Sequence, residues 1–187
     1  MIDLTISGYL YPKRSVRLSL PATDEHIQHT LDKLTEGLPL GKTFAYHITE
    51  ADCDLAQVER HIKNNSELRE VNLLSYMLSN VQKDMRDLAV SVADKAAENL
   101  SSFINGIAAV KDGCYTELEQ PDDSGRWIEG RYIGNFNNTP DIYRRELLDS
   151  FLEKERQEYE KQQQTTAQVD SAHPFAHPQQ EQDTMSM

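Results

Sequence analysis

Two cysteines, Cys53 and Cys114, are all that a chain of 187 residues contains, too few and too far apart for a disulfide framework or a C-x-x-C zinc clip. They read as free thiols of a reducing compartment, packed as small apolar side chains rather than as reactive groups. No run of about 18 apolar residues occurs, and no basic segment followed by an apolar stretch stands near Met1. The sequence therefore predicts a cytoplasmic protein with no membrane association. Basic residues are in short supply as well: 19 Lys and Arg stand against 31 Asp and Glu, for a formal net charge of -12. That balance opposes direct binding to nucleic acid.

What is present is enough for a modest core, with 38% of residues hydrophobic. Leu4 and Ile6, then Val16, Leu18 and Leu20, are each flanked by polar residues, with Gly8 and Pro12 between the two sets; this predicts a hairpin. Thr23 is placed to cap a helix whose first turn holds Asp24 and Glu25, where the helix dipole favours anions, and Ile27, Leu31, Leu34 and Leu38 continue at helical spacing. Phe44, Tyr46 and Ile48 then alternate as a third strand would. From Ser66 the period changes: Leu68, Val71, Leu74 and Leu78 form one helical stripe, Met85, Leu88, Val92 and Ala96 a second, and Phe103, Ile104 and Ile107 a third.

Two further strands are expected around Cys114 to Leu118 and Arg126 to Ile133, separated by the turn Pro121-Asp122-Asp123-Ser124-Gly125. Thr139-Pro140-Asp141 has the chemistry of a helix start, and Tyr143, Leu147, Leu148, Phe151 and Leu152 make the following helix amphipathic. The expected class is α+β. It comprises a small N-terminal antiparallel sheet unit with one packed helix over 1–59, a helical module over 60–111, and an acidic turn and strand segment with a C-terminal helix over 112–161. A disordered tail follows over 162–187, too poor in large apolar groups to offset the entropy of ordering.

Few residues suggest catalysis. Gly37-Leu38-Pro39-Leu40-Gly41-Lys42-Thr43 imitates a phosphate-binding loop, but three residues stand between the glycines where four are needed, and Pro39 has no amide hydrogen. A helix-to-strand turn is the plainer reading. His26 and His29, beside Glu25, could form half of a metal site, yet no third ligand can be nominated. No cofactor, metal or enzyme activity is expected. The charge is unevenly distributed: residues 21 to 59 hold eight acids and two bases, and residues 112 to 129 hold six acids and one base, whereas residues 60 to 111 are close to neutral. If residues 50 to 54 are extended, Glu50, Asp52 and Asp54 share one face at a pitch of about 6 to 7 Å. Such rows either keep the protein soluble or displace phosphates from a basic DNA-binding groove.

The run Leu20-Pro21-Ala22-Thr23-Asp24-Glu25-His26-Ile27 resembles the L-P-A-T-x-E-x-I helix start of ArdA-type antirestriction proteins. Phe44 to Asp54 is similar to that family's acidic strand segment, Glu70-Val71-Asn72-Leu73-Leu74-Ser75-Tyr76-Met77-Leu78 to its E-L-N-x-L-A-x-x-L helix, and Ile104-Asn105 with Cys114-Tyr115 to a weaker piece beyond it. The resemblance covers roughly residues 2 to 118. It implies a non-enzymatic protein of mobile DNA, elongated and curved, whose carboxylates imitate B-form DNA. The partner it implies is a type I restriction-modification enzyme, blocked at the DNA groove of its specificity and methyltransferase subunits. The carboxylates assigned to that role are Asp24, Glu25, Asp32, Glu36, Glu50, Asp52, Asp54 and Glu59, with Asp112, Glu117, Glu119, Asp122, Asp123 and Glu129 as a second cluster. The family's acidic third domain, which provides its dimer contact, is not recognisable after about Tyr132, so a homodimer is possible but not implied by the matched residues. Two other readings compete. One is an interaction adaptor of a mobile element acting through the helical module and the helix from Thr139 to Glu160; the other is a nucleotide-dependent enzyme using Lys42 and Thr43.

Overall fold

Ile2, Leu4 and Ile6 are buried on strand β1 (Ile2–Gly8), while Asp3 between them is exposed. β1 pairs antiparallel with β2 (Ser15–Leu20) in the register Ile2↔Leu20, Leu4↔Leu18 and Ile6↔Val16, which places the apolar members of both strands on one face. This is the expected hairpin. A third strand, β3 (Tyr46–Cys53), joins the other edge of β1, giving the order β2-β1-β3. The computed structural model describes residues 1–37, 45–111, 116–117, 131–132 and 144–171.

Helix α1 (Asp24–Thr35) covers the apolar face of the sheet with Ile27, Thr30 and Leu34. Thr23 caps it as the sequence predicts, its hydroxyl accepting a hydrogen bond from the His26 amide at 3.3 Å. The helix ends at Gly37, whose φ of 72° is a left-handed conformation that glycine adopts without a Cβ clash. Arg14 closes that end, donating from Nη1 to the Glu36 carbonyl at 2.6 Å. Leu38 to Thr43, most of the loop that imitates a phosphate-binding motif, lie outside the described residues.

A short helix not expected from periodicity, α2 (Ala56–His61), crosses the division drawn between residues 59 and 60. It buries Val58 alone, too little to generate a pattern. The helical module is present as α3 (Leu68–Asn80), α4 (Lys83–Ala96) and α5 (Leu100–Lys111). Leu68, Val71, Leu74 and Leu78 are buried as expected, but α3 also buries Leu73, Tyr76 and Met77 and the polar Glu70, Asn72, Ser75 and Asn80. It is packed on several sides, against β2, α5 and the last helix.

In α4 the expected stripe is rotated. Ala89, Val90 and Ala93 are buried, whereas Met85, Leu88 and Val92 are only half-buried. Alanine lets α4 approach α5 closely, so the small side chains take the centre of the contact and the larger ones its flanks. Phe103, Ile104 and Ile107 of α5 are fully buried.

A two-stranded pair, β4 (Thr116–Glu117) with β5 (Arg131–Tyr132), falls within the two spans expected to be extended. The turn between them and the helix start at Thr139–Asp141 lie outside the described residues. The C-terminal helix, α6 (Leu148–Ser171), follows a 3-10 turn at Arg145–Leu147. It continues through residues 162–171, where disorder was expected. The packed first half supplies the nucleus, and each further Gln or Ala then extends the helix at little cost. Lys161 to Ala167 are exposed, consistent with a continuation held by backbone rather than by packing.

Leu148 and Leu152 of α6 are buried on α3, and Glu155 is buried beside them. Both Glu155 carboxylate oxygens accept from Lys111 Nζ at 2.7 Å, and Oε2 also accepts from Asn80 Nδ2 at 2.7 Å. Burial pulls the Lys111 ammonium down, but its hydrogen bonds to Glu155 and Glu158 outweigh that and hold it above the ordinary lysine value. One buried cluster runs from Ile2 and Leu4 of the sheet through Leu74 of α3 to Leu152 of α6. The sheet unit and the helices thus share a core. Among the described residues no helix is long and apolar enough to cross a membrane.

Candidate functional site

The side of the sheet turned away from α1 is polar, and the pairing register says what stands on it. Ser19, Asp3 and Asp52 form one row across β2, β1 and β3; Arg17, Thr5 and Glu50 form the next. Within the rows, the Ser19 hydroxyl donates to Asp3 Oδ1 at 2.5 Å and the Thr5 hydroxyl donates to Glu50 Oε2 at 3.1 Å. Asp3, Arg17, Glu50 and Asp52 are all exposed. Among the described residues the side chains of Arg17 and Asp52 make no ion pair.

Glu50 and Asp52 reach this face only because β3 is irregular. Strict alternation would put them on the same side as Tyr46 and Ile48, into the core. The ladder shifts between Thr5 and Ile6: Ile6 pairs with Ile48 but Thr5 pairs with Glu50, leaving Thr49 as an extra residue. Its hydroxyl donates to the Thr5 carbonyl at 3.0 Å. After this bulge Ala51 and Cys53 point inward and the two acids outward. Asp3 was not among the expected carboxylates, although its place between Ile2 and Leu4 in the hairpin is a legible signal for it.

The other expected carboxylates are elsewhere. Asp54 stands one residue beyond β3, exposed, and accepts from the Cys53 thiol at 3.4 Å; burial raises that thiol above its ordinary pKa, in keeping with an inert cysteine. Glu59 is half-buried and uses Oε1 to accept from the Cys53 amide at 2.9 Å, a structural tie across the β3–α2 turn. Asp24 and Glu25 lie at the start of α1, beside a cleft of about 210 Å³ that also contains Arg69, Asp149, Glu153 and Arg156. Arg69 pairs with Asp24 at 3.6 Å and with Asp149 at 2.6 Å. Backbone hydrogen bonding at the helix start, followed by the Thr23 hydroxyl, lowers the Glu25 carboxyl below its ordinary value. Asp32, which accepts from Gln28 Nε2 at 2.8 Å, is exposed on α1, and Glu36 is exposed just past its end.

Since α1 covers the opposite face of the sheet, the acids of residues 21 to 59 do not form one ridge. Glu50 and Asp52 share a face with Asp3; Asp24 and Glu25 meet arginines. Of the second cluster, Glu117 is on β4 opposite Arg131, while Asp112, Glu119, Asp122, Asp123 and Glu129 lie outside the described residues.

A larger cleft, about 640 Å³, opens between α2, α3 and α5 and is bordered by His61, Lys63, Glu67, Glu98 and Arg145. On its wall the Ser101 hydroxyl donates to the buried Glu70 Oε1 at 3.0 Å, and Arg145 reaches Glu67 at 2.5 Å. His61 Nε2 is 2.9 Å from Asp94 Oδ1, its ring stacked on Phe103 at 4.2 Å, and Arg60 pairs with the same aspartate. Burial, with Arg60 and Lys63 nearby, lowers the His61 pKa. Lys63 Nζ donates to the Arg60 carbonyl at 2.5 Å, and no group of three or more metal-ligating side chains occurs among the described residues. His26 and His29 are exposed on α1.

Comparison of the chain with protein-family models, curated proteins and solved structures finds no match in any of the three.

Proposed function

We propose that the chain is an antirestriction protein that presents carboxylates in place of DNA phosphates to a type I restriction-modification enzyme, using Asp3, Glu50 and Asp52. The observation that carries this reading is the bulge in β3, which turns Glu50 and Asp52 out onto the face that Asp3 already occupies. On adjacent strands and two residues apart, such carboxylates recur at roughly 5 to 7 Å. Their repulsion is not cancelled by a lysine or arginine side chain paired with any of the three among the described residues, so the charge is available to a cationic groove.

The order of the elements adds support. The L-P-A-T-like run opens α1, the acidic segment is β3, and the Glu70–Leu78 piece is on α3, as the resemblance to ArdA-type proteins leads one to expect. Asp24, Glu25 and Glu59 are left out of the proposed contact because they lie off this face: Asp24 pairs with Arg69, Glu25 stands at the start of α1 near Arg156, and Glu59 accepts from the Cys53 amide. The test is protection of unmodified DNA from cleavage by a type I enzyme, measured across a salt series. The double variant Glu50→Lys/Asp52→Lys is expected to weaken inhibition at least ~10-fold and to lower the log-log salt slope by about two, one for each lost phosphate-like contact. Equal protection by wild type and variant at every salt concentration would overturn the reading.

A further inference from the structure

We propose that the tip of the β1–β2 hairpin, residues 9–14, docks on an anionic phospholipid surface, with Tyr9 and Leu10 entering the headgroup layer and Lys13 and Arg14 meeting lipid phosphates. The inference does not rest on the antirestriction reading. The tip reads Tyr-Leu-Tyr-Pro-Lys-Arg, with two aromatics, a leucine and two bases and no acid. Among the described residues four large apolar side chains are exposed, Met1, Tyr9, Leu10 and Leu147, and only Tyr9 and Leu10, at 63% and 66%, adjoin one another. That exposure is built into an ordered turn. The Tyr9 amide donates to the Ala45 carbonyl at 2.9 Å, the Tyr11 amide to the Gly8 carbonyl at 3.1 Å and the Arg14 amide to the Tyr11 carbonyl at 2.9 Å, while the Tyr9 ring lies 4.9 Å from that of His47.

The charge at this end is opposite in sign to that of the chain as a whole. Lys13, Arg14 and Arg17 are exposed; one nitrogen of Arg14 serves the Glu36 carbonyl, which leaves its charge in place. The exposed acids of the outer sheet face stand away from the tip. Glu50 is on the row of Thr5, about 10 Å along the strand from Gly8, and Asp3 and Asp52 are on a row about 17 Å away. At physiological salt a charge is screened over about 8 Å, so a surface touching the tip meets the bases before the acids. Glu36, exposed where Arg14 closes α1, opposes the contact with one negative charge.

Shape selects the partner. A hairpin turn is convex and a few side chains wide: it covers far less than the ~800 Å² per partner of a specific protein interface, and a single Tyr9 ring is a poor platform for stacking successive bases. A lipid surface needs no matching pocket; it takes amphipathic rings at headgroup level and bases at its phosphates. Such a contact needs no long apolar run, which is where it departs from the expectation of no membrane association. Two shallowly inserted side chains hold less than one acyl chain, whose association constant is on the order of 10⁴ M⁻¹, so half-binding is expected near about 1 mM accessible lipid.

The test is co-sedimentation of the full chain with vesicles of phosphatidylcholine alone and of phosphatidylcholine with about one third phosphatidylglycerol. Wild type is expected to bind the anionic vesicles at least ~10-fold more tightly than the neutral ones, and to lose binding as salt rises. Lys13→Glu should weaken binding ~10-fold or more, and Leu10→Ser ~3-fold or more. Leu10→Trp should bind more tightly, and the emission it adds to that of Trp127 should shift to the blue on anionic vesicles. Leu10 and Lys13 are exposed, and an unchanged circular dichroism spectrum verifies that each variant folds. No binding at about 10 mM lipid, binding indifferent to both Lys13→Glu and Leu10→Ser, or an unshifted emission overturns the proposal. Retention by oligothymidylate in place of vesicles also overturns it, and assigns the tip to single-stranded nucleic acid instead. Leu10→Ser leaves Asp3, Glu50 and Asp52 in place, so its DNA protection should equal that of wild type and the two readings fail separately.

Discussion

His61 combines three constraints in one ring: a stacked contact with Phe103, a hydrogen bond to Asp94, and the nearby charges of Arg60 and Lys63. Burial, followed by the charges of Arg60 and Lys63, disfavours the imidazolium and holds the His61 pKa below the ordinary value near 6.5. The unfolded chain takes up a proton there that the folded chain resists. Stability from this group is thus complete above about pH 6.5 and declines as the pH falls below it. His61→Gln, which retains a hydrogen-bond donor, should lose less of its urea midpoint between pH 7.5 and 5.5 than wild type does. An identical loss in both proteins would show that His61 does not set this dependence.

Among the elements, β3 is where reading by alternation stops being sufficient. Tyr46, Ile48, Glu50 and Asp52 are all even-numbered, so a regular strand cannot place the first two inward and the last two outward; Thr49 resolves the conflict as the extra residue. Deleting Thr49 leaves an unbroken alternation with every remaining side chain on its present face, and the loss of one hydroxyl contact should cost only about 1 kcal/mol. Deleting Ala51 instead turns Asp52 toward the core, at several kcal/mol. Thermal unfolding of the two deletions checks this, and similar destabilisation by both would refute it.

The hairpin, α1 with its Thr23 cap, and α3 were legible because each carries a full period of large apolar residues or a specific capping group. α2 and the rotated face of α4 were not, since Val58 alone makes no pattern and the alanines that define α4's contact resemble ordinary helix formers. The acids named for the site were read by charge and segment, and only tertiary pairing distinguishes Glu50 from Glu59. In α6 the apolar side formed by Leu148, Leu152 and Tyr159 is used within the chain, against α3 and Tyr76. That argues against the adaptor reading, which needs this side exposed.

At the scale of the whole molecule, the shared core of sheet unit and helices is reinforced by a carboxamide. Asn72 Oδ1 accepts from the Ala22 amide at 2.9 Å, its Nδ2 donates to the Ala22 carbonyl at 2.8 Å, and the Tyr76 hydroxyl donates to the same carbonyl at 3.3 Å. The residues that carry two of the family-like motifs therefore bind each other, and their role is to hold the fold together. Asn72→Ala leaves the part-buried Ala22 amide without its partner and the Ala22 carbonyl with the Tyr76 hydroxyl alone, and should destabilise the protein by about 2 kcal/mol. Because the core is continuous, hydrogen exchange should rise together in β1, α1 and α3. A rise confined to Ala22 and its neighbours would mean that the two parts unfold separately.

The central helix α3 depends on α6 for one of its sides, with the Asn80 amide seated on Glu155, 75 residues later in the chain. During synthesis, at about 5 to 20 residues per second, roughly 4 to 15 s separate the emergence of the two. For that interval the nascent chain carries a finished sheet and an uncovered, largely apolar helix, so it is the stage at which a chaperone would hold it and at which a stalled ribosome would release an aggregating product.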